Sequence, residues 1–130
     1  MRIILLLLLT ISTAQGGNLE EYIQRKNPNL SEKTVLELAS ELRKYPKEIT
    51  KIVERESTFN PHAKSNGSVG LMGINTRVWF SSNPDYNLIK LGIIKTKKDL
   101  FTIRGNLKAG CWIYKKCNRS YRKYRGLPKK

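Results

Sequence analysis

The sequence predicts a mainly α fold in a single domain, and three observations carry that expectation. Apolar residues recur at helical spacing in separate stretches, and no stretch alternates apolar and polar residues long enough to demand a large sheet. The chain has 130 residues, enough for one core and too few for two.

The first element is not part of that core. Met1-Arg2 is followed by an apolar run and then by small residues, with Ser12 and Ala14 suitably placed for cleavage after Ala14. A basic start, a short apolar run and a small-residue site make residues 1–14 read as a signal peptide; an uncleaved anchor is the alternative. The run is far short of the roughly 20 residues of a membrane-spanning helix, so stable membrane insertion is not expected. The mature protein is expected in the periplasm, outside the cell or on a virion.

Residues 15–30 are polar and contain Gly16, Gly17 and Pro28, which reads as a loosely ordered lead-in. The domain is expected over 31–130. Its first helix starts near Ser31, a plausible N-cap, and carries Val35, Leu36, Leu38, Ala39 and Leu42 towards Pro46. Pro46 cannot continue that helix but suits the first turn of the next, which holds Ile49, Ile52 and Val53 and runs to Ser57. Asn60-Pro61 closes it.

The stretch from Asn60 to Gly73 reads as a functional loop, because Gly67, Gly70 and Gly73 permit unusual backbone while Val69, Leu71 and Met72 bury part of it. A short helix is expected around Val78, Trp79 and Phe80, then a connection over 83–98 with Leu88, Ile89, Leu91, Ile93 and Ile94 packing inward. A last helix covers about Leu100 to Lys116, and the chain ends in a basic tail.

The net charge of +15 points to an anionic polymer as partner, and export disfavours nucleic acid. Cys111 and Cys117 lie six residues apart, a rise of about 9 Å on a continuous helix. They bridge only if the helix ends between them; otherwise they are expected as buried thiols. With a single histidine, His62, in a loop, no zinc site forms, and neither metal nor cofactor is expected.

Glu56 is the informative residue. With Ile49 at 0° on a helical wheel, Ile52 falls at about 300°, Val53 at about 40° and Glu56 at about 340°, so its carboxyl sits within the apolar stripe. Glu54, at about 140°, is expected to face water. A carboxylic acid on a buried face is costly as an anion and favours its neutral form, which a general acid in glycoside cleavage requires. The alternatives are a Glu56 paired with Arg55 or another cation, or a helix that ends one turn early.

The surrounding residues bear on that choice. Glu56-Ser57-Thr58-Phe59-Asn60-Pro61, then Ala63 and Ser65, then Gly70-Leu71-Met72-Gly73-Ile74-Asn75, resemble the signature of lytic transglycosylases of the soluble-lytic (SLT) type and their goose-type lysozyme relatives. Asn106-Leu107-Lys108-Ala109-Gly110 and Tyr124-Arg125-Gly126 resemble later motifs of that family, so the likeness spans roughly 35 to 127. Gly73 stands where the family has Gln, and Arg125 where it has Asn.

The resemblance implies a lysozyme-like domain with Glu56 at the end of a buried helix facing a long cleft. It also implies peptidoglycan glycan strands as substrate. The family reaction protonates the oxygen between N-acetylmuramic acid and N-acetylglucosamine and lets the muramic acid O6 attack the anomeric carbon, leaving a 1,6-anhydro sugar. Glu56 is then catalytic, while Ser57, Gly70, Met72, Gly73, Asn106 and Tyr124 match positions near the acid or the sugar. Phe59 and Trp79 read as packing, and Asp85 and Asp99 as caps or cleft residues. A monomer is expected, and a part in a secretion or phage-entry machine fits the resemblance. Two alternatives stay open: a hydrolytic lysozyme, and a non-catalytic cationic module in which Lys115, Lys116, Arg119, Arg122, Lys123, Arg125, Lys129 and Lys130 interleave with Tyr121 and Tyr124 to bind wall polymer or nucleic acid.

Overall fold

A computed structural model of the chain describes residues 18–117. The expected signal peptide, the basic tail, Tyr124 and Arg125 lie outside the described residues.

The part of the 15–30 stretch that is described is not a loose lead-in. Helix α1 covers Asn18–Lys26, with Glu20 and Glu21 in its first turn and Arg25 and Lys26 in its last, charges that complement the helix dipole. Leu19, Tyr22 and Ile23 share one face, and Ile23 is fully buried in the core. Arg43 grips Glu20 through two hydrogen bonds of 2.6 and 2.8 Å, which fastens α1 to the end of the next helix. That guanidinium holds the Glu20 carboxyl below the usual carboxylate range.

Helix α2 covers Glu32–Leu42, and the Ser31 hydroxyl caps it by accepting from the Thr34 amide at 3.1 Å. Helix α3 covers Lys47–Ser57, with Pro46 as its N-cap, one position earlier than the first-turn placement read from sequence. Beyond α3 the chain folds into a small antiparallel sheet in the order β1 (Lys64–Ser65), β2 (Ser68–Val69), β3 (Ile74–Asn75), so the stretch from Asn60 to Gly73 supplies its first two strands. Asn66 and Gly67, at φ 50° and 86°, make the two-residue turn between β1 and β2, the backbone an Asn-Gly hairpin requires.

Helix α4 covers Thr76–Trp79, and two 3-10 turns come after it at Pro84–Tyr86 and Lys97–Phe101. Asp99 accepts from the Lys95 and Thr96 amides at 2.8 and 3.1 Å, so it caps the second turn and does not line the groove at Glu56. Within 83–98, Leu88 and Ile94 are buried and Ile93 half-buried, whereas Ile89 and Leu91 are exposed; the connection buries one side only.

Helix α5, Ile103–Lys116, packs against α2 and the Lys97–Phe101 turn. It runs unbroken past Cys111, and Cys117 is its C-cap, so the geometry that would let the two bridge is absent. Cys111 is a buried thiol and Cys117 a half-buried one. Trp79 packs edge-on against Trp112 at 5.9 Å between ring centroids. Among the described residues no helix is long and apolar enough to cross a membrane, and no cluster of His, Cys, Asp or Glu suits a metal.

Candidate active site

Glu56 occupies the penultimate position of α3, and the backbone turns sharply just beyond it. Thr58 and Phe59 both adopt left-handed conformations, with φ 51° and 62°. Each costs about 1–2 kcal/mol for an L-residue, and β-branched Thr58 is the rarer case. Burial of Phe59 offsets part of that cost: the ring is fully buried and meets Tyr22 edge-on at 6.1 Å. The Thr58 amide donates to Glu54 O at 2.9 Å, closing the helix, and Asn27 Nδ2 donates to Thr58 O at 3.0 Å.

Opposite this helix end, residues 70–73 form a tight turn closed by the Gly73 amide donating to Gly70 O at 3.1 Å. Gly73 has φ +58°, and a Cβ placed on it would lie 2.7 Å from Glu56 Oε1 and 3.1 Å from Glu56 Cβ. The bare backbone at 73 is therefore what the Glu56 side chain rests against. Gly70 is equally constrained from the other side, since its Cβ would fall 1.9 Å from Asn106 Nδ2.

Asn106 explains how this turn keeps its shape. Its Oδ1 accepts from the Met72 amide at 2.8 Å, while its Nδ2 donates to Leu100 O at 2.7 Å and Val69 O at 3.2 Å. Each polar atom of the buried amide is satisfied, as burial demands.

Glu56 is half-buried and opens into a groove of about 350 Å³ that is also lined by Arg55, Ala63, Lys64, Ser65, Asn66, Ser68, Gly70 and Gly73. It is the sole carboxylate among the described residues lining that groove, and exposed Arg55 and Lys64 flank it. A larger cavity of about 510 Å³ lies between α1 and α3, walled by Leu19, Tyr22, Leu42 and Tyr45. Its one carboxylate, Glu54, already accepts from the Tyr22 hydroxyl and pairs with Lys26 at 3.5 Å, so the smaller polar groove is the better site for acid chemistry. Those contacts also correct the expectation that Glu54 faces water: it faces α1. The hydrogen bond to the Glu54 carboxylate raises the Tyr22 phenol above its ordinary range, with burial adding to the effect.

The expected site residues thus separate into two groups. Glu56, Gly70 and Gly73 meet at the groove. Asn106 and Met72 are fully buried behind it, the one holding the turn and the other packed on Gly110, where a Cβ would stand 2.4 Å from the Met72 sulfur. Ser57 donates its hydroxyl to Val53 O at 2.9 Å, a local helix bond. Lys64, Ser65, Asn66 and Ser68 were not singled out as lining residues from sequence; the Asn66-Gly67 pair was the available signal for the hairpin that carries them.

Residues 33–128 match the family model of the Transglycosylase SLT domain. No curated protein and no solved structure matches the chain.

Proposed function

The chain belongs to the SLT family of peptidoglycan lytic transglycosylases, and from that premise we propose that Glu56 is its single general acid and base in non-hydrolytic cleavage of the glycan strand. Glu56 gives its proton to the oxygen linking N-acetylmuramic acid to N-acetylglucosamine as the bond from that oxygen to the anomeric carbon breaks. The muramic acid O6 then bonds to the anomeric carbon, and its proton passes to the Glu56 carboxylate. Atoms balance without water, and one carboxyl returns to its starting state.

The observation that carries this reading is the placement of Glu56, which stands as the one carboxylate among the described residues of a groove with a cationic rim. A substrate-borne nucleophile removes the need for a second acid. The backbone of Gly70 and Gly73 would face the sugar, with Lys64 and Arg55 attracting the acidic wall polymer. Ser57, Met72 and Asn106 would act from behind by holding the turn and the helix end. Tyr124 belongs to the proposed site on the motif alone. Export through the 1–14 signal peptide completes the proposal.

Glu56→Gln tests it. The amide keeps the shape and cannot donate the proton, so turnover of purified sacculi should fall by about 10⁴-fold or more while the melting temperature and sacculus binding stay near wild type. Mass spectrometry of wild-type products should show anhydro-muropeptides. Products one water heavier would replace this reading with a hydrolytic one, and substantial activity in Glu56→Gln would remove the catalytic assignment.

A further inference from the structure

Several tethers on the chain around Glu56 originate in one short stretch, residues 22–27. Asn27 donates to Thr58 O at 3.0 Å, the Tyr22 ring packs edge-on against Phe59 at 6.1 Å, and the Tyr22 hydroxyl and Lys26 both reach Glu54. Fully buried Ile23 anchors the helix that carries them. The contacts fall on residues 54, 58 and 59, on both sides of Glu56. α1 lies wholly outside the matched residues 33–128.

We propose that Asn27 and Tyr22 are positioning residues, which clamp the left-handed pair Thr58-Phe59 and so set where the Glu56 carboxyl stands against Gly73. The reading rests on the assignment of Glu56 as the acid. A consecutive left-handed pair of non-glycine residues relaxes toward ordinary backbone when its external bonds are removed. Such relaxation rotates the last turn of α3, which carries Glu56, while the groove wall formed by residues 63–70 has its own hydrogen bonds and stays in place. The Ala63–Gly70 backbone bond of 2.8 Å and the Asn106 network do not involve α1. The clamp therefore acts on the acid and leaves glycan binding alone.

The test uses the full mature chain and purified sacculi, and it measures turnover at saturation and the sacculus concentration giving half-maximal rate. Asn27→Ala should lower turnover about tenfold with the half-saturating concentration unchanged, since misplacing a reacting group by a fraction of an ångström costs that much. Asn27→Asp, which keeps the shape and loses the donor, should behave alike. Thr58→Gly supplies a residue at home at φ 51°, so it should stay near wild type, and in that background Asn27→Ala should cost less than about twofold. Tyr22→Phe, which keeps the ring on Phe59, should cost less than Tyr22→Ala.

An equal proportional loss for Asn27→Ala in both backgrounds would overturn the proposal. So would a change confined to half-saturation, or a loss that matches the unfolded fraction in thermal melts. Glu56→Gln is assayed alongside: if it is active, the acid assignment fails. If it is inactive while Asn27→Ala turns over normally, the positioning role alone fails.

Discussion

Gly73→Ala is the sharpest probe of the site, because it adds one methyl group where the structure leaves no room for it. The backbone at 73 is left-handed, at φ +58°, which costs an L-residue about 1–2 kcal/mol. The new Cβ would lie 2.7 Å from Glu56 Oε1, about 0.7 Å inside ordinary van der Waals contact at 3.4 Å, and that oxygen is the far end of a flexible side chain that can swing aside. The loss in denaturant melts should therefore stay near the backbone cost, about 1–2 kcal/mol. Relief comes from moving the Glu56 carboxyl by much of that roughly 0.7 Å, so turnover should fall by roughly 10- to 100-fold in the folded fraction.

Gly92→Ala is the control: φ is +76° and nothing lies within 4 Å, so it isolates the backbone cost. It should destabilise by about 1–2 kcal/mol and leave turnover unchanged. Gly73→Gln restores the residue the SLT motif has at this place and should nonetheless lower activity, since its Cβ meets the same carboxyl. Muropeptide release from sacculi, scaled to the folded fraction, is the assay. A Gly73→Ala enzyme with full turnover, or a Gly73→Gln enzyme that gains activity, would refute the claim that bare backbone at 73 seats the acid.

Asn106→Ala should cost about 3 kcal/mol or more in melts, because it strands the Met72 amide and the carbonyls of Val69 and Leu100, each worth about 1–3 kcal/mol when buried; a loss below about 1 kcal/mol would show that water replaces the side chain. Glu41 is buried between Arg104 and Lys44, whose hydrogen bonds, Arg104's first, hold its carboxyl below the ordinary 4.5. Its contribution is therefore complete above pH 4.5 and disappears as pH falls through the lowered folded value. Glu41→Gln should flatten the acid limb of the stability-pH curve, and an unchanged limb would count against it. The intact mass of unreduced protein should correspond to two thiols, with Cys111 resisting alkylation until the chain unfolds; a mass lighter by two hydrogens would establish a bridge.

Helices α2, α3 and α5 were legible because each carries its own apolar stripe and local stop or start signals, Ser31 and Pro46 among them. Helix α1 carried the same kind of signal in Leu19, Tyr22 and Ile23, with acids before bases, but Gly16, Gly17 and Pro28 pointed toward a loop. Pro28 lies beyond the last helical residue, Lys26, and does not interrupt the helix. The same omission misplaced Glu54. A helical wheel gives the angle between two side chains and says nothing about what stands opposite the second one, so a polar face read as solvated was in fact the face that receives α1.

The site was legible in a different way, since a motif records which residues occur together without saying which of them touch the ligand. Asn106 occurs with Gly70 and Met72 because its amide holds the backbone that passes between them, and at 0% exposure it cannot also reach a sugar. Gly73, which departs from that motif, leaves the space that the Glu56 side chain fills. Telling these two relations apart needs the position of the backbone, which is set by left-handed geometry at Thr58 and Phe59. No propensity predicts that geometry for a β-branched residue followed by an aromatic one. It is imposed from outside the motif, by the burial of Phe59 against Tyr22 and by the Asn27 bond to Thr58, and is therefore visible only once the chain before the motif is folded onto it.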